Sequence, residues 1–199
     1  MFSKNYLSVI LFAAVLCVSS AFSAEGETTS DPSDQSSVFV EGIVVQISSE
    51  ALAEANISPI GQTQQDIQKI IKYLAQPEKA RVISGGKGVI FSGGESTIRQ
   101  QDMKYVTVKH GSATEVQQYE IDFYLGVVPR FSTQKKATIG YNASIHFFTE
   151  DPDGAQYPTT HSYEWQGMLK IESGKPVVAA AVQNQDGMTL LILCATIQE

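Results

Sequence analysis

Few residues of this sequence have the type and spacing that catalysis or metal binding requires. His110, His146 and His161 are too widely separated to share one helical face, and the chain contains no CxxC pair. Cys194 lies within the apolar run LLILCAT, which predicts a small buried side chain and not a nucleophile. The sequence therefore predicts no metal and no cofactor.

Two stretches resemble ligand-binding loops only in part. Residues 88–95 (GVIFSGGE) have the glycines of a phosphate loop, but Gly94 and Glu95 occupy the places of its Lys and its Ser or Thr. Residues 151–154 (DPDG) could begin a calcium loop, but Ser162 occupies the place of the closing Glu. We therefore reject the phosphate loop and interpret residues 151–154 as a plain turn.

Three carboxylates leave a second class of protein open. Glu95, Glu120 and Asp122 could face one another across a sheet, and a hydrolase would need such a pair with a perturbed pKa. Acidic side chains are also common at exposed strand positions. The sequence therefore favours a protein that is not an enzyme and keeps a hydrolase as an alternative.

The charge of the chain argues against one kind of partner. The 199 residues carry a formal net charge of −7 with a pI near 5.0, and the Lys and Arg residues are scattered. Binding to nucleic-acid phosphates requires clustered basic residues. The sequence therefore predicts no nucleic-acid partner.

The first 37 residues do not have the pattern of a folded domain. They have the order of a secretory signal peptide, with Lys4 first, then an apolar run over residues 6–18 and then a stretch of small residues. This order predicts export and cleavage after Ala21 or Ser23. The alternative is a membrane anchor, but the apolar run is shorter than the ~20 residues of a spanning helix. Residues 1–23 are thus a predicted signal peptide, residues 24–37 a flexible leader and residues 38–199 a single domain.

Two long strands organise this domain. Residues 115–131 and 137–149 alternate apolar and polar side chains with the period of a half-buried strand, and residues 132–136 predict the turn between them. Strands of this length fit a tall sandwich, a twisted sheet or the wall of a closed sheet. The predicted buried positions are Tyr119, Ile121, Phe123, Leu125 and Val127 on the first strand and Ile139, Tyr141, Ala143, Ile145 and Phe147 on the second.

The other segments predict shorter elements around this hairpin. A β-branched run precedes a helix over residues 48–56, and Thr63 begins a second helix with apolar residues at helical spacing. The glycines near residues 85 and 93 predict a hinge over residues 85–87 and a turn at 93–94. The predicted strands are residues 38–47, 81–84, 88–92, 95–99, 103–110, 162–171, 176–183 and 188–197, the last of them central because it is apolar on both faces. The predicted fold class is α+β, a mainly antiparallel, long-stranded sheet with two short helices near the N-terminus of the domain.

Several of these stretches, in the same order, resemble the C-terminal domain of the secretins, the ring-forming outer-membrane channel proteins of type II and type III secretion and type IV pili. Pro129 stands at the proline of the family's G-x-x-L-x-V-x-P strand, with Gly126 three residues before it. Gly174 matches a motif glycine before a late strand, and Glu95 lies in a stretch similar to the t-l-n-g-x-x-A-x-i strand. The matching stretches are VFVEGIVVQIS, DIQKIIKYLAQPEKARVISGGKGVIFSGGESTIRQ, YEIDFYLGVVPRFSTQKKATIGYNASIHF, KIESGKPVVAAAV and LLILCATIQ.

The resemblance implies a non-enzymatic exported envelope protein, a pore or ring subunit that assembles with copies of itself or with secretion components. It implies a place in the outer membrane or the periplasm and makes membrane association an expectation. Only a tight turn over residues 184–187 stands where the family has a longer segment between its last two strands, and the inner-gate strands are nearly absent. The alternative is a periplasmic or surface interaction module that retains the fold without the channel. Its strand over residues 103–110 would offer an edge to a partner strand, unless Lys104 and Lys109 blunt that edge.

The resemblance and the chemistry of proline predict an interruption in the first long strand. Proline has no N–H for a ladder and Gly126 adds backbone freedom, so we expect a bend or bulge within residues 126–130. Phe131 then resumes the strand and pairs near Ala137 or Ile139. The alternative is that the strand ends before the turn at 132–136.

Overall fold

The computed structural model describes residues 37–58, 63–91, 94–110, 113–133, 135–150, 157–184 and 187–198. The predicted signal peptide and all but the last residue of the predicted leader lie outside this range. Within it the strands are β1 (Ser37–Ser48), β2 (Ala80–Phe91), β3 (Ser96–His110), β4 (Ala113–Thr133), β5 (Lys136–Thr149), β6 (Thr159–Glu172), β7 (Val177–Asn184) and β8 (Gly187–Gln198). The helices of the same residues are α1 (Ser49–Ala55) and α2 (Gln64–Tyr73).

The strands form two four-stranded antiparallel sheets that pack face to face. Sheet A has the strand order β2-β1-β8-β7, and sheet B has the order β3-β4-β5-β6. One buried cluster contains Val40 and Leu193 from sheet A together with Phe123 and Ile139 from sheet B. The described chain is therefore a sandwich of two sheets, and β8 is a central strand as predicted, with its residues 187–195 buried.

The long hairpin of the sequence analysis is present as β4 and β5. Both predicted apolar stripes face the interior, and Phe123 and Phe147 are fully buried, while Tyr119 is half-buried. The turn is tighter than predicted because Thr133 already pairs with Lys136. The period-two pattern thus identified the buried face of sheet B correctly.

Two helices cover part of the other face of sheet A. Ser48 caps α1 by accepting a hydrogen bond from the backbone N–H of Ala51, and Thr63 forms a capping box with Asp66 at the start of α2. A second buried cluster joins these helices to the sheet and contains Leu52, Ile70, Leu190 and Ile192. Sheet A is therefore covered by sheet B on one face and partly by helices on the other.

The predicted hinge at residues 85–87 is wrong. Strand β2 runs unbroken through these residues, and Gly86 pairs with Gly42 of β1. A Cβ atom on Gly86 would lie 2.4 Å from Cγ2 of Ile98 on β3, closer than real atoms approach. The glycine therefore permits close packing between the two sheets instead of turning the chain.

The predicted break between residues 99 and 103 is also wrong. Strand β3 is continuous, and its polar residues Gln100, Gln101 and Asp102 pair with β4. Polar side chains are tolerated there because β3 is the edge strand of sheet B and these side chains are exposed. Backbone pairing, and not side-chain pattern, decides the length of this strand.

The register contradicts the predicted bulge within residues 126–130. Strand β4 pairs with β5 without a shift from Asp122 to Phe131, and the irregularity lies between Phe131 and Thr133. Phe131 pairs with Ala137, as predicted. The β3 ladder ends where Ser96 pairs with Val127, so Pro129 lies beyond β3 and its missing N–H removes no hydrogen bond on that side.

Candidate assembly surface

Among the described residues, each sheet ends in two strands that pair on one side only. The edge strands of sheet B are β3 with 15 residues and β6 with 14, and those of sheet A are β2 with 12 and β7 with 8. The free N–H and C=O groups of an edge strand form a ready template for another strand. These edges are therefore the main candidate functional surface.

The exposed apolar side chains are concentrated at these edges. Met103 and Tyr105 on β3 are 56% and 71% exposed, and Met168 on β6 is 75% exposed. On the edge strand β2 of sheet A, Val89 and Phe91 are exposed as well. Apolar side chains at a free edge favour contact with another chain over contact with water.

The outer face of sheet B bears Glu120 and Asp122, two of the carboxylates considered for a hydrolase. The guanidinium of Arg99 donates two hydrogen bonds to Asp122, from Nε to Oδ1 at 3.1 Å and from Nη2 to Oδ2 at 2.8 Å. These hydrogen bonds hold the pKa of Asp122 below its usual range. The amide of Gln101 donates to Glu120 at 2.8 Å. Asp122 is thus held as an ion-paired carboxylate, whereas a general acid requires a raised pKa.

The third candidate carboxylate lies elsewhere on this face. Glu95 is exposed and lines a shallow depression together with Tyr124, Gly126 and Gln166. Neither Glu120 nor Asp122 lines this depression. The three carboxylates considered for hydrolysis are therefore not gathered in one pocket.

The four family-motif positions occupy three separate segments. Pro129 and Gly126 are buried in β4, where Gly126 pairs with Asn142 of β5. Gly174 lies in the turn between β6 and β7 with a φ of +75°, and its N–H donates to the carbonyl of Ala195 at 2.8 Å. Glu95 precedes β3. Gly126, Pro129 and Gly174 therefore lie at packing or backbone positions, whereas Glu95 is exposed.

The remaining candidate residues belong to four different strands. His146 is exposed on the outer face of β5 and pairs with Asp122, while His161 lies 3.1 Å from the hydroxyl of Thr149. The side chain of His110 lies outside the described residues. Cys194 is buried, as predicted. In the described part of the chain no three His, Cys, Asp or Glu side chains lie close enough together to hold a metal ion.

Glu41 is a titratable group whose burial the sequence does not predict. It lies in β1 between Lys87 of β2 and Cys194 of β8. Burial raises the pKa of Glu41, while the charge of Lys87 opposes the rise. The only signal in the sequence is a polar residue inside the β-branched run VFVEGIVV.

No family model and no curated protein sequence matches the chain. Its architecture is instead similar to that of solved secretins. The solved secretin InvG of the Salmonella SPI-1 type III secretion injectisome, in its open gate state, is similar over 83% of this chain and 61% of its own, with a TM-score of 0.50 and 6% identity. The type II secretion system secretin GspD of E. coli K12 is similar over 100% of this chain and 61% of its own, with a TM-score of 0.45 and 10% identity. Aeromonas hydrophila ExeD is similar over 98% of this chain and 58% of its own, with a TM-score of 0.46 and 11% identity.

The described chain therefore has a secretin-like fold, as the resemblance implied. It spans less than two thirds of the length of each of these three solved chains. Within the described residues, neither helix is long and apolar enough to cross a membrane.

Proposed function

We propose that this protein is a non-enzymatic exported envelope protein that acts as a ring subunit of a secretin-like assembly. The observation that carries the proposal is the pair of open four-stranded sheets. In an antiparallel sheet with an even number of strands the two edge strands run in opposite directions, so β6 of a second copy meets β3 antiparallel. The same holds for β7 and β2. Copies can therefore be added edge to edge in one direction without a change of strand polarity.

The lengths of the edges and their side chains support the same function. Strands β3 and β6 differ by one residue in length, and both carry exposed Met side chains. Repeated addition through two different edges is a heterologous interaction, which closes into a ring when the rotation between copies permits. The secretin-like fold agrees with this assembly.

The test is the assembly state of the full chain in a bacterial envelope. We expect a large multimer that sediments with outer membranes and resists dissociation in detergent on heating. The substitution Thr107→Pro places proline at an exposed position of the edge strand β3. It should reduce the amount of multimer because proline has no backbone N–H to donate to the strand of a neighbouring copy. Recovery of the unmodified chain only as a soluble monomer would contradict the proposal.

A periplasmic or surface interaction module is the second candidate. It is favoured by the short connections of the chain, since seven residues separate Ala55 from Thr63 and two residues join β7 to β8. Such a module would use an edge strand to bind one extended segment of another protein. Conductance measurements on liposomes that contain the purified chain separate the candidates, because reproducible large channels would exclude a module without a pore.

We further propose that residues 1–23 are a secretory signal that is removed from the mature protein. A secretory signal over residues 1–23 would deliver the domain to the envelope, where both candidates act. N-terminal sequencing of the mature protein should begin at Phe22 or Ala24. A mature protein that retains Met1 would exclude cleavage and favour an anchored form.

A further inference from the structure

We propose that neighbouring copies pair β3 with β6 in a register that is staggered by four residues, so that Gln101 of one copy lies opposite Gln166 of the next. This inference rests on the proposed ring. It names the backbone partners at the interface, which neither the fold nor the number of copies determines.

The rows of one copy define the reference position. Gln101, Asp122, His146 and Ser162 lie in one row across the outer face of the four strands. If a second copy continued this row without stagger, its Ser162 would lie opposite Gln101. Only residues 96–104 of β3 would then meet residues 159–167 of β6, and one end of each edge would remain open.

The faces of the sheet restrict the stagger to even numbers. On β3 the outward side chains are odd-numbered, as in Arg99 and Gln101, whereas on β6 the inward ones are odd-numbered, as in the buried Ile171. A shift of one residue would turn every side chain of the neighbour to the opposite face. Staggers of two, four and six residues therefore remain.

The tilt of strands in a closed sheet selects among these values. Four strands at a spacing of about 4.8 Å are ~19 Å wide, and four residues of a strand are ~13 Å long, which gives a tilt of about 35°. Closed sheets have tilts of roughly 35–45°. A stagger of two residues gives only about 19°, whereas four or six residues lie at the limits of this range.

Contact length and charge distinguish four residues from the other values. A stagger of four brings residues 96–108 of β3 against residues 159–171 of β6, nearly the whole of both strands. A stagger of six would place Arg99 directly opposite Lys170, and like charges in directly opposed positions are destabilising. Four residues are therefore the stagger whose ladder, residues 96–108 against residues 159–171, is long and contains no directly opposed pair of like charges.

The resulting pairs are chemically matched on the outer face. Gln101 lies opposite Gln166, where two amides can exchange hydrogen bonds, and Thr107 lies opposite Thr160. The exposed Met168 lies opposite Arg99, whose aliphatic stem covers it. All six side chains lie at exposed positions in the single copy, so the contacts require no rearrangement of its core.

Cysteine cross-linking tests the register in the full chain. Gln101→Cys is combined in turn with Ser162→Cys, Gln166→Cys and Met168→Cys, in a Cys194→Ala background that removes the buried thiol. A bifunctional thiol reagent with a span of roughly 10 Å cannot join β3 to β6 within one copy, because three strand spacings separate them by about 14 Å. Gln101→Cys alone is the control.

The outcomes separate the register from the ring. We expect a ladder of cross-linked multimers that is strongest for Gln166→Cys. A maximum at Ser162→Cys or Met168→Cys would overturn the four-residue stagger and leave the ring intact. A chain that gives no intermolecular product at any pair and sediments as a monomer would overturn the proposed ring as well.

A charge exchange gives a second readout that does not depend on cysteine. Gln101→Lys with Gln166→Lys sets like charges opposite each other and should reduce the multimer, by roughly fivefold at most for each interface. Gln101→Lys with Gln166→Glu should restore it, whereas Gln101→Lys with Ser162→Glu should not. Restoration by Ser162→Glu alone would contradict the staggered register.

Discussion

The phenol of Tyr141 on β5 donates a hydrogen bond to the backbone carbonyl of Ala179 on β7, at 2.8 Å. This bond joins sheet B to sheet A. Ala179 lies where the pairing of β7 with β8 shifts by one residue, between Val178 and Ala180. Tyr141 therefore satisfies a carbonyl at an irregular position of β7 and fixes the distance between the sheets there.

Removal of this hydroxyl should loosen the contact between the sheets. In Tyr141→Phe the ring remains and only the hydrogen bond is lost, so the free energy of unfolding should fall by about 0.5–1.5 kcal/mol. Denaturant unfolding followed by circular dichroism measures the change. Tyr124→Phe, on the half-buried outer face of β4, is the matched control and should leave the stability nearly unchanged. Equal effects of the two substitutions would argue against the role of the Ala179 contact.

The same phenol predicts a loss of stability in alkali. Burial raises the pKa of Tyr141 above its usual value near 10. The contribution of the protonated phenol to the free energy of unfolding is fully present below the pKa that Tyr141 has in the unfolded chain. It is lost as the pH rises through the higher pKa of the folded state. Unfolding measured between about pH 9 and 12 should thus show a smaller alkaline loss in Tyr141→Phe than in the unmodified chain.

Gly86 should be sensitive to the addition of a single methyl group. In Gly86→Ala the new Cβ would overlap Ile98 of the facing sheet, so we expect a loss of about 1–3 kcal/mol in the free energy of unfolding. Gly140→Ala in β5 is the control, because its Cβ would have ordinary contacts at 3.6 Å and beyond. In an Ile98→Ala background, which removes the methyl group that the new Cβ would meet, the additional cost of Gly86→Ala should be smaller. A Gly86→Ala protein as stable as the Gly140→Ala protein would contradict the close packing.

Gly174 should tolerate asparagine better than valine. Its φ of +75° lies in the left-handed region, which costs a residue with a Cβ about 1–2 kcal/mol, and asparagine adopts this region more readily than valine. No neighbouring atom would contact a Cβ there, so backbone strain alone should set the order of stability. Thermal unfolding of Gly174→Asn and Gly174→Val measures it. Equal midpoints would exclude strain as the cause.

The ion pair of Arg99 and Asp122 should lose its stabilising effect in acid. The guanidinium lowers the pKa of Asp122, so the contribution is fully present above the unfolded-chain pKa near 4 and is lost as the pH falls through the lower folded-state pKa. The difference in stability between the unmodified chain and Asp122→Asn should therefore be constant near pH 7 and narrow below about pH 4. Ser162→Ala, without a charge, should show no such narrowing.

The sequence predicted the faces of the long strands better than their ends. The alternation in β4 and β5 identified their buried side chains because one face of sheet B packs on sheet A. Gly86 was misinterpreted as a hinge because a glycine required by a facing side chain and a glycine required by a turn look alike in one sequence. Gln100 and Asp102 were misinterpreted as a break for a related reason, since an edge strand tolerates polar side chains at inward positions. Both errors concern contacts between segments that are distant in the sequence.

The candidate surface was predictable only in part. The sequence predicts residues 103–110 as a possible edge and contains no sign that β6 is the opposite edge of the same sheet. That relationship depends on the order of all four strands, which side-chain periodicity does not determine. Pro129 shows the same limit, because its tolerance in β4 depends on the residue at which β3 ends.

The two unlike edges of sheet B give any assembly built through them a direction. A partial arc would have one terminus that presents β3 and another that presents β6, and each could accept only the complementary end of an incoming copy. A chain whose β3 edge is blocked would still attach through its intact β6 and would then act as a cap on the growing arc. A small share of such chains would therefore stop the growth of arcs that consist mostly of intact chains. This effect is characteristic of polymers whose two ends differ.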